Sequence, residues 1–122
     1  INALRRAQGV AALRRDPMLD AVARAHAETL SRRRAVAHTP SPEDSPTDRL
    51  RAAGIVTARV GENVARARSL TEAHASLATS PAHRANLIDA HVDALGVGIA
   101  RADGWVYVVE LFATQPSMVA SP

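Results

Sequence analysis

The sequence predicts an α+β domain in which helices pack on a small antiparallel sheet. In most of the chain, helix-start signals precede apolar residues spaced three or four apart, which is the period of a half-buried helix. Near the C-terminus, residues 95–101 and 105–112 resemble strands, and the intervening Ala102-Asp103-Gly104 is typical of a hairpin turn. Helices before and between strands, followed by a hairpin, are typical of a layered α+β domain.

The N-terminal segment predicts two helices. Residues 1–7 form a short helix that ends at Gly9. Asp16 followed by Pro17 is a strong start signal, because Asp caps the first turn and Pro fits the first helical position. The apolar spacing then predicts a helix that runs to about Arg34.

The middle of the chain predicts a loop, a short helix and a strand. Residues 39–46 are rich in Pro, Ser and acidic residues, which favours a loop. A new start signal at residues 45–48 opens a third helix, and Gly54 closes it. The β-branched residues in 55–60 predict a strand that leads into residues 61–63.

Two further helices are predicted before the hairpin. Residues 69–72 have the form of a capping box and start a helix that runs to about Thr79. Ser80 and Pro81 then start a second short helix, in which we expect the Ser80 hydroxyl to cap backbone N–H groups. The domain is expected to span residues 1–115, with residues 116–122 as a loose C-terminal tail.

Composition narrows the class of protein. The chain has 122 residues, enough for one core, and 47% of them are hydrophobic, which argues against disorder. Only Trp105, Tyr107 and Phe112 are aromatic, so no aromatic surface is available on which bases could stack. We therefore expect no nucleic-acid partner.

Neither the charge pattern nor the lack of Cys identifies a partner. The formal charge is +3 and all 15 basic residues are Arg, which we interpret as a coding bias. The cluster at residues 32–34 ends a helix, where cations stabilise the macrodipole. No Cys is present and no apolar run approaches the ~20 residues of a membrane span. The chain begins inside a helical pattern, typical of a mature or trimmed fragment, so the missing export signal carries little information.

Three residues are candidates for a chemical site: His38, Glu62 and His83. Imidazoles and carboxylates bind divalent metals and transfer protons near neutral pH. The three are separated by 24 and 21 residues, so only the fold can bring them together. His83 lies in the first turn of its helix, where the dipole disfavours the imidazolium; a neutral ring suits a metal ligand or a general base.

Four motifs follow one another over nearly the whole chain: Asp16-Pro17-Met18-Leu19, Gly61-Glu62-Asn63-Val64-Ala65, Ser80-Pro81-Ala82-His83-Arg84-Ala85-Asn86-Leu87 and Gly96-Val97-Gly98. This ordered set resembles a known family, the CAP superfamily with its SCP-like extracellular domain, in the bacterial secreted form.

The resemblance implies an α-β-α sandwich with a central antiparallel sheet and a cleft that holds two histidines and two acids. In some members of the family this tetrad binds zinc. By position, His38, Glu62 and His83 match three of its members, and the resemblance implies them as tentative ligands of Zn²⁺. The fourth acid has no match, because Leu77 stands where the family has Trp and no carboxylate follows it.

Glu110 is a hypothetical substitute for the fourth acid, and together with Asn63 it completes the expected cleft. It lies inside an apolar strand, where a charge should not be buried without a partner. We hypothesise that it faces the cleft and complements the histidines; the alternative is that it faces solvent or pairs with an Arg. Glu62 and Asn63 also have a structural interpretation, in which they bind backbone groups.

The resemblance implies a secreted or envelope-associated domain, and three functions stay open. The first is binding of a small lipid or a cell-surface molecule in the His/Glu cleft. The second is a zinc-dependent hydrolase in which Glu62 acts as base. The third is a structural interaction module without a ligand. No Gly-x-Ser-x-Gly or HExxH motif is present, so a serine hydrolase is not expected. The oligomeric state stays open.

Overall fold

The computed structural model describes residues 1–36 and 45–119. In these residues the helices are α1 (Asn2–Ala7), α2 (Pro17–Arg33), α3 (Pro46–Ala52), α4 (Leu70–Thr79) and α5 (Pro81–Leu87). The strands are β1 (Arg14–Arg15), β2 (Ile55–Val56), β3 (Val60–Ala67), β4 (Ala94–Ala102), β5 (Trp105–Ala113) and β6 (Ser117–Met118).

The main sheet has the strand order β1-β4-β5-β3. Strand β5 is central and pairs antiparallel with β4 and β3, which confirms the antiparallel sheet. Strand β1 adds a two-residue parallel pairing to β4 that the sequence did not predict. The turn predicted over residues 102–104 is present but shorter: Ala102 belongs to β4, and Asp103 and Gly104, with φ of 54° and 77°, make a two-residue turn to β5.

Helices cover both faces of this sheet, which confirms the α-β-α sandwich. Helices α2 and α3 pack on one face, here called the α2 face, and α1, α4 and α5 pack on the other, here called the α5 face. Alternate residues of each strand point to opposite faces. On β5, Tyr107, Val109 and Leu111 therefore join the α2 face, while Val108 and Phe112 join the α5 face.

Helix α2 lies directly against the backbone of β4 because two glycines face it. A Cβ atom on Gly96 would lie 2.3 Å from the carbonyl carbon of Leu19, and one on Gly98 would lie 2.2 Å from that of Ala23. No other residue type fits at this distance. Helix α2 has 17 residues, and no helix in the described part of the chain is long and apolar enough to cross a membrane.

The helix starts follow the predicted capping signals with one exception. Asp16 accepts hydrogen bonds from the N–H groups of Met18 and Leu19, and Ser69 accepts one from Glu72. Ser80 occupies the N-cap position of α5, but its side chain makes no capping hydrogen bond. That part of the prediction is wrong: Ser80 has the extended backbone of an N-cap residue, but its carbonyl and not its hydroxyl accepts the first hydrogen bond of the helix, from the N–H of Arg84 at 2.8 Å.

The sequence misplaced one strand and the C-terminal segment. The predicted strand at 55–60 is divided into β2, a short pair, and the start of the longer β3. Ser117 and Met118, expected in a loose tail, form β6 and pair with β2. The N–H of Val119 donates to the carbonyl of Gly54 at 2.7 Å, so backbone hydrogen bonds hold this segment.

Arg5 fastens α1 to the segment that joins α5 to β4. Its guanidinium is buried and donates to four backbone carbonyls, those of Ala11, Leu87, Asp89 and Val92, at 2.6 to 3.3 Å. Burial lowers the pKa of Arg5, opposed by the charge of Asp89. No pattern in the sequence predicted that this arginine is internal.

Candidate functional site

The Glu62 carboxylate and the Arg49 guanidinium form a buried ion pair between β3 and α3. Arg49 Nη2 lies 2.9 Å from Oε1 and 2.7 Å from Oε2 of Glu62. The side chains are 11% and 2% exposed. The same guanidinium nitrogen, Nη2, therefore donates to both carboxylate oxygens. The site admits little water, and charge-assisted hydrogen bonds are strong there.

Asn63, the next residue on β3, points to the opposite face of the sheet. It is completely buried, and its Nδ2 donates to the backbone carbonyl of His83 at 3.1 Å and to Oε1 of Glu110 at 3.2 Å. Its Oδ1 accepts from Nδ2 of Asn86 at 2.8 Å. All three partners come from elements distant in sequence, so this amide joins β3, β5 and α5.

Asn86 completes the attachment of α5 to β3. Its Nδ2 also donates to the backbone carbonyl of Glu62 at 3.1 Å. Both hydrogen bonds of this amide therefore tie α5 to β3. It follows that the motifs at 61–65 and 80–87 are linked through amide side chains, which hold the helix that carries His83.

Glu110 is buried on the α5 face and is paired across the strands with Asn63. Burial raises the pKa of the Glu110 carboxyl above its ordinary value, opposed by the Asn63 hydrogen bond and by the ammonium group of Ile1. The alternative in which Glu110 faces solvent is wrong, because the residue is buried. Among the described residues, the Glu110 carboxylate accepts its hydrogen bond from the Asn63 amide rather than from an arginine.

The predicted site residues fall into two groups. Glu62 lies on the α2 face with Arg49, whereas Asn63, Glu110 and the carbonyl of His83 meet on the α5 face. The imidazole of His83 is half-buried and makes no hydrogen bond to any described residue. His38 lies outside the described residues.

The described residues do not by themselves fit a zinc site. Within 1–36 and 45–119, no three His, Asp or Glu side chains are grouped to hold a metal ion. The carboxylate that would serve as ligand already binds the fixed positive charge of Arg49 at 2.7 Å. A divalent cation at Glu62 would have to displace this guanidinium or share the carboxylate with it, at a cost in Coulomb repulsion.

An apolar groove of about 410 Å³ runs between α2 and α3 and reaches Arg49. Its volume lies within the range of about 300–1,000 Å³ that small-ligand sites occupy. The lining consists of small apolar side chains and the one arginine: Ala21, Val22, Ala25, Ala52, Ala53 and Arg49. The four alanines are exposed, so their methyl groups are open to a ligand.

Arg49 is the site residue that the sequence analysis missed. It lies 13 residues before Glu62, a separation with no helical or strand period. The only available signal was its place in Asp48-Arg49-Leu50, in the first turns of a capped helix, where Leu50 is buried. Residues beside a buried apolar anchor on a short helix are candidates to face the same core.

Solved structures share this fold. The chain aligns over 93% of its length with an extracellular protein of Bacillus anthracis that contains an SCP domain, at 23% identity and a TM-score of 0.84, and it covers 37% of that protein. An outer surface protein of Borrelia burgdorferi aligns over 93% of this chain and 85% of its own, at 24% identity and a TM-score of 0.82. A cysteine-rich secretory protein of Staphylococcus aureus aligns over 93% of this chain and 36% of its own, at 19% identity and a TM-score of 0.71.

The sequence itself identifies the family. No curated protein matches the chain. The chain spans only about a third of the Bacillus and Staphylococcus proteins, so it corresponds to one domain of each. A family model for the cysteine-rich secretory proteins, however, matches residues 1–115, nearly the whole chain, although no Cys is present. This chain therefore belongs to the CAP, or cysteine-rich secretory protein, family.

Proposed function

We propose that this chain is a ligand-binding domain that works outside the cell or in the envelope and takes a small aliphatic ligand in the groove between α2 and α3. The observation that carries the proposal is the row of exposed alanine methyl groups along a groove of about 410 Å³. Apolar surface gathered in a concavity is typical of a binding site.

The groove favours an aliphatic chain with an uncharged polar end. Among the described residues its walls are alanines and Val22, with no aromatic ring to stack on a planar ligand. Its polar end is Arg49, whose charge is compensated by Glu62 at 2.7 Å. A ligand hydroxyl can accept a hydrogen bond there without the cost of burying a second charge.

The proposed location follows from the family and from its relatives. The family is described as secretory, and the Bacillus and Borrelia proteins are described as extracellular and as an outer surface protein. This chain spans 37% of the Bacillus protein and 36% of the Staphylococcus protein, so the proposal concerns this domain alone.

We further propose that Glu62 serves as the counter-ion of Arg49 rather than as a metal ligand or a catalytic base. Both carboxylate oxygens of Glu62 lie within 2.9 Å of Arg49 Nη2, so a metal ion or a substrate would have to compete with this guanidinium for them. The zinc site predicted from His38, Glu62 and His83 therefore depends on contacts of His38, and the zinc-dependent hydrolase depends on that site.

Titration with decanol tests the ligand proposal. We expect the methyl signals of Ala21, Ala25 and Ala53 to shift in NMR spectra and to saturate, with decanoate binding more weakly. Ala25→Leu should fill the groove and weaken binding about tenfold, a loss of about 1.4 kcal/mol. The matched control is Ala75→Leu, at an exposed position on α4, on the other face of the sheet.

Two results would contradict the proposal. One is a set of decanol-induced shifts outside the groove, and the other is equal loss of binding in the two leucine variants. Thermal unfolding of both variants shows whether the added side chains preserve the fold.

A further inference from the structure

The edge of β4 that faces away from β5 is paired with β1 over one part of its length and with no described strand over the rest. The backbone carbonyls of Asp93 and Leu95 point to this edge, where they accept hydrogen bonds from the N–H groups of Arg14 and Asp16 at 2.9 Å. Alternation along a strand places Val97, Ile99 and Arg101 on the same edge. Strand β1 ends at Arg15, so these three residues extend beyond it.

The Asp20 side chain binds the outward N–H group of Val97, the first of these three residues. Its Oδ1 accepts from the N–H of Val97 at 2.8 Å and from the guanidinium of Arg15 at 2.8 and 3.1 Å. After this point, no described residue hydrogen-bonds to the outward backbone groups of Ile99 and Arg101. An unpaired strand edge is a template for another strand.

The surface beside the open edge is shaped and charged for an extended acidic chain. A groove of about 440 Å³ runs between α2 and the edge, lined by Arg15, Arg24, Val97 and Ile99 among others. The Ile99 side chain is 38% exposed, and Arg101 is exposed as well. Among the described residues, the exposed pairs of Arg15 with Asp20 and of Arg24 with Glu28 balance each other. Arg101 has no ion pair with a described acid, so this surface carries one excess positive charge.

We propose that the open edge of β4 is a docking site for an extended acidic peptide segment of a partner protein. The peptide would take the place that β1 leaves empty and pair its backbone with Ile99 and Arg101. An apolar side chain would contact Ile99, and carboxylates would meet Arg24 and Arg101. Backbone pairing supplies affinity in such complexes, and the side chains supply selectivity.

This surface is separate from the proposed ligand groove, which lies between α2 and α3. The two grooves share only Ala21, at the turn of α2 between them. Failure of one proposal therefore leaves the other standing.

The experiment uses the peptide acetyl-Glu-Val-Glu-Val-Glu-amide and amide hydrogen exchange measured by NMR. We expect slower exchange at Ile99 and Arg101, binding that weakens with salt, and at least tenfold weaker binding of the Lys-Val-Lys-Val-Lys peptide. An acidic peptide methylated on alternate backbone nitrogens should lose affinity, which tests backbone pairing without altering the protein.

Two variants of Ile99 distinguish the contribution of its backbone N–H to binding from that of its side chain. Ile99→Pro removes the outward N–H and should weaken binding about tenfold, the effect of one hydrogen bond. Ile99→Thr keeps the N–H and should weaken it less than threefold. Thermal unfolding and the hydrogen exchange of β5 show that each variant is folded.

Three outcomes would overturn the proposal. The first is equal binding of acidic and basic peptides, and the second is undiminished binding of the N-methylated peptide. The third is protection of Ile99 and Arg101 that rises with protein concentration in the absence of peptide, which would assign the edge to a second copy of this chain.

Discussion

Arg49 Nη2 lies within 2.9 Å of both carboxylate oxygens of Glu62, in a contact that is almost closed to water. This pair joins the third helix to the strand that carries the Gly-Glu-Asn motif. It gives Glu62 a defined partner within the described residues and sets the polar end of the α2–α3 groove.

Removal of one member of this pair should be strongly destabilising. We expect Arg49→Leu or Glu62→Leu to lower the free energy of unfolding by about 3–5 kcal/mol, because a buried charge loses its partner. The double variant should lose less than the sum of the two. Urea unfolding measures all three, and Arg51→Leu, at an exposed pair on the same helix, is the control with an expected loss below about 1 kcal/mol. Additive losses would show that the two side chains act independently.

Stability should fall as the Glu110 carboxyl ionises. Burial raises the pKa of Glu110, so the folded protein holds this proton more tightly than the unfolded chain does. The stabilisation is complete below the unfolded pKa of about 4.3 and is lost as the pH rises through the folded pKa. Glu110→Gln keeps an acceptor for Asn63 and should remove this slope, raising stability near neutral pH.

Urea unfolding of the parent and of Glu110→Gln between pH 4 and pH 8 measures this difference. Glu72→Gln, at an exposed position in α4, is the control for loss of a carboxylate. Curves for the parent and for Glu110→Gln that stay parallel over the whole range would disprove a tightly held proton on Glu110.

Gly98→Ala should disrupt the packing of α2 on β4. The new methyl group would lie 2.2 Å from backbone atoms of Ala23 and Arg24, which cannot move as a flexible side chain would. We expect a loss of about 3 kcal/mol in thermal or urea unfolding. Gly104→Ala is the comparison, since its positive φ gives strain without a backbone collision, with an expected loss of about 1 kcal/mol. Equal losses would mean that the helix shifts readily.

Arg5→Lys should destabilise the chain although it preserves the charge. An ammonium group cannot reach the four carbonyls that the guanidinium fork bonds, and those left buried and unpaired cost about 1–3 kcal/mol each. We expect a loss of about 3 kcal/mol in urea unfolding. Arg6→Lys, at an exposed neighbouring position, should change stability by less than about 0.5 kcal/mol. If Arg5→Lys lost as little stability as Arg6→Lys, water or the lysine ammonium would be satisfying the four carbonyls in place of the guanidinium.

Zinc should not stabilise the protein through Glu62. With the carboxylate bound to Arg49, we expect the same Tm with zinc and with chelator, to within about 1 °C, because a ligand stabilises only the state it binds. A zinc-dependent rise in Tm that His38→Ala and His83→Ala both abolish would contradict this and support the predicted metal site.

Much of the fold could be predicted because its signals are local. Asp16 with Pro17, the capping box at 69–72 and the Asp103-Gly104 turn each fix a helix start or a reversal within a few residues. The ordered motifs then identified the family. Strands β1 and β6 were missed because two residues carry no period, and their pairing depends on partners far along the chain.

The sequence by itself determined the five helices, the C-terminal hairpin, the family and the motif residues Glu62 and Asn63 on β3. Only the tertiary structure decided which partners these residues contact on each face of the sheet. Adjacent residues of a strand point to opposite faces, so Glu62 meets Arg49 while Asn63 meets Glu110. Partners 13 and 47 positions away are chosen by the register of the strands and the packing of the helices, and no pattern along the chain encodes that choice locally.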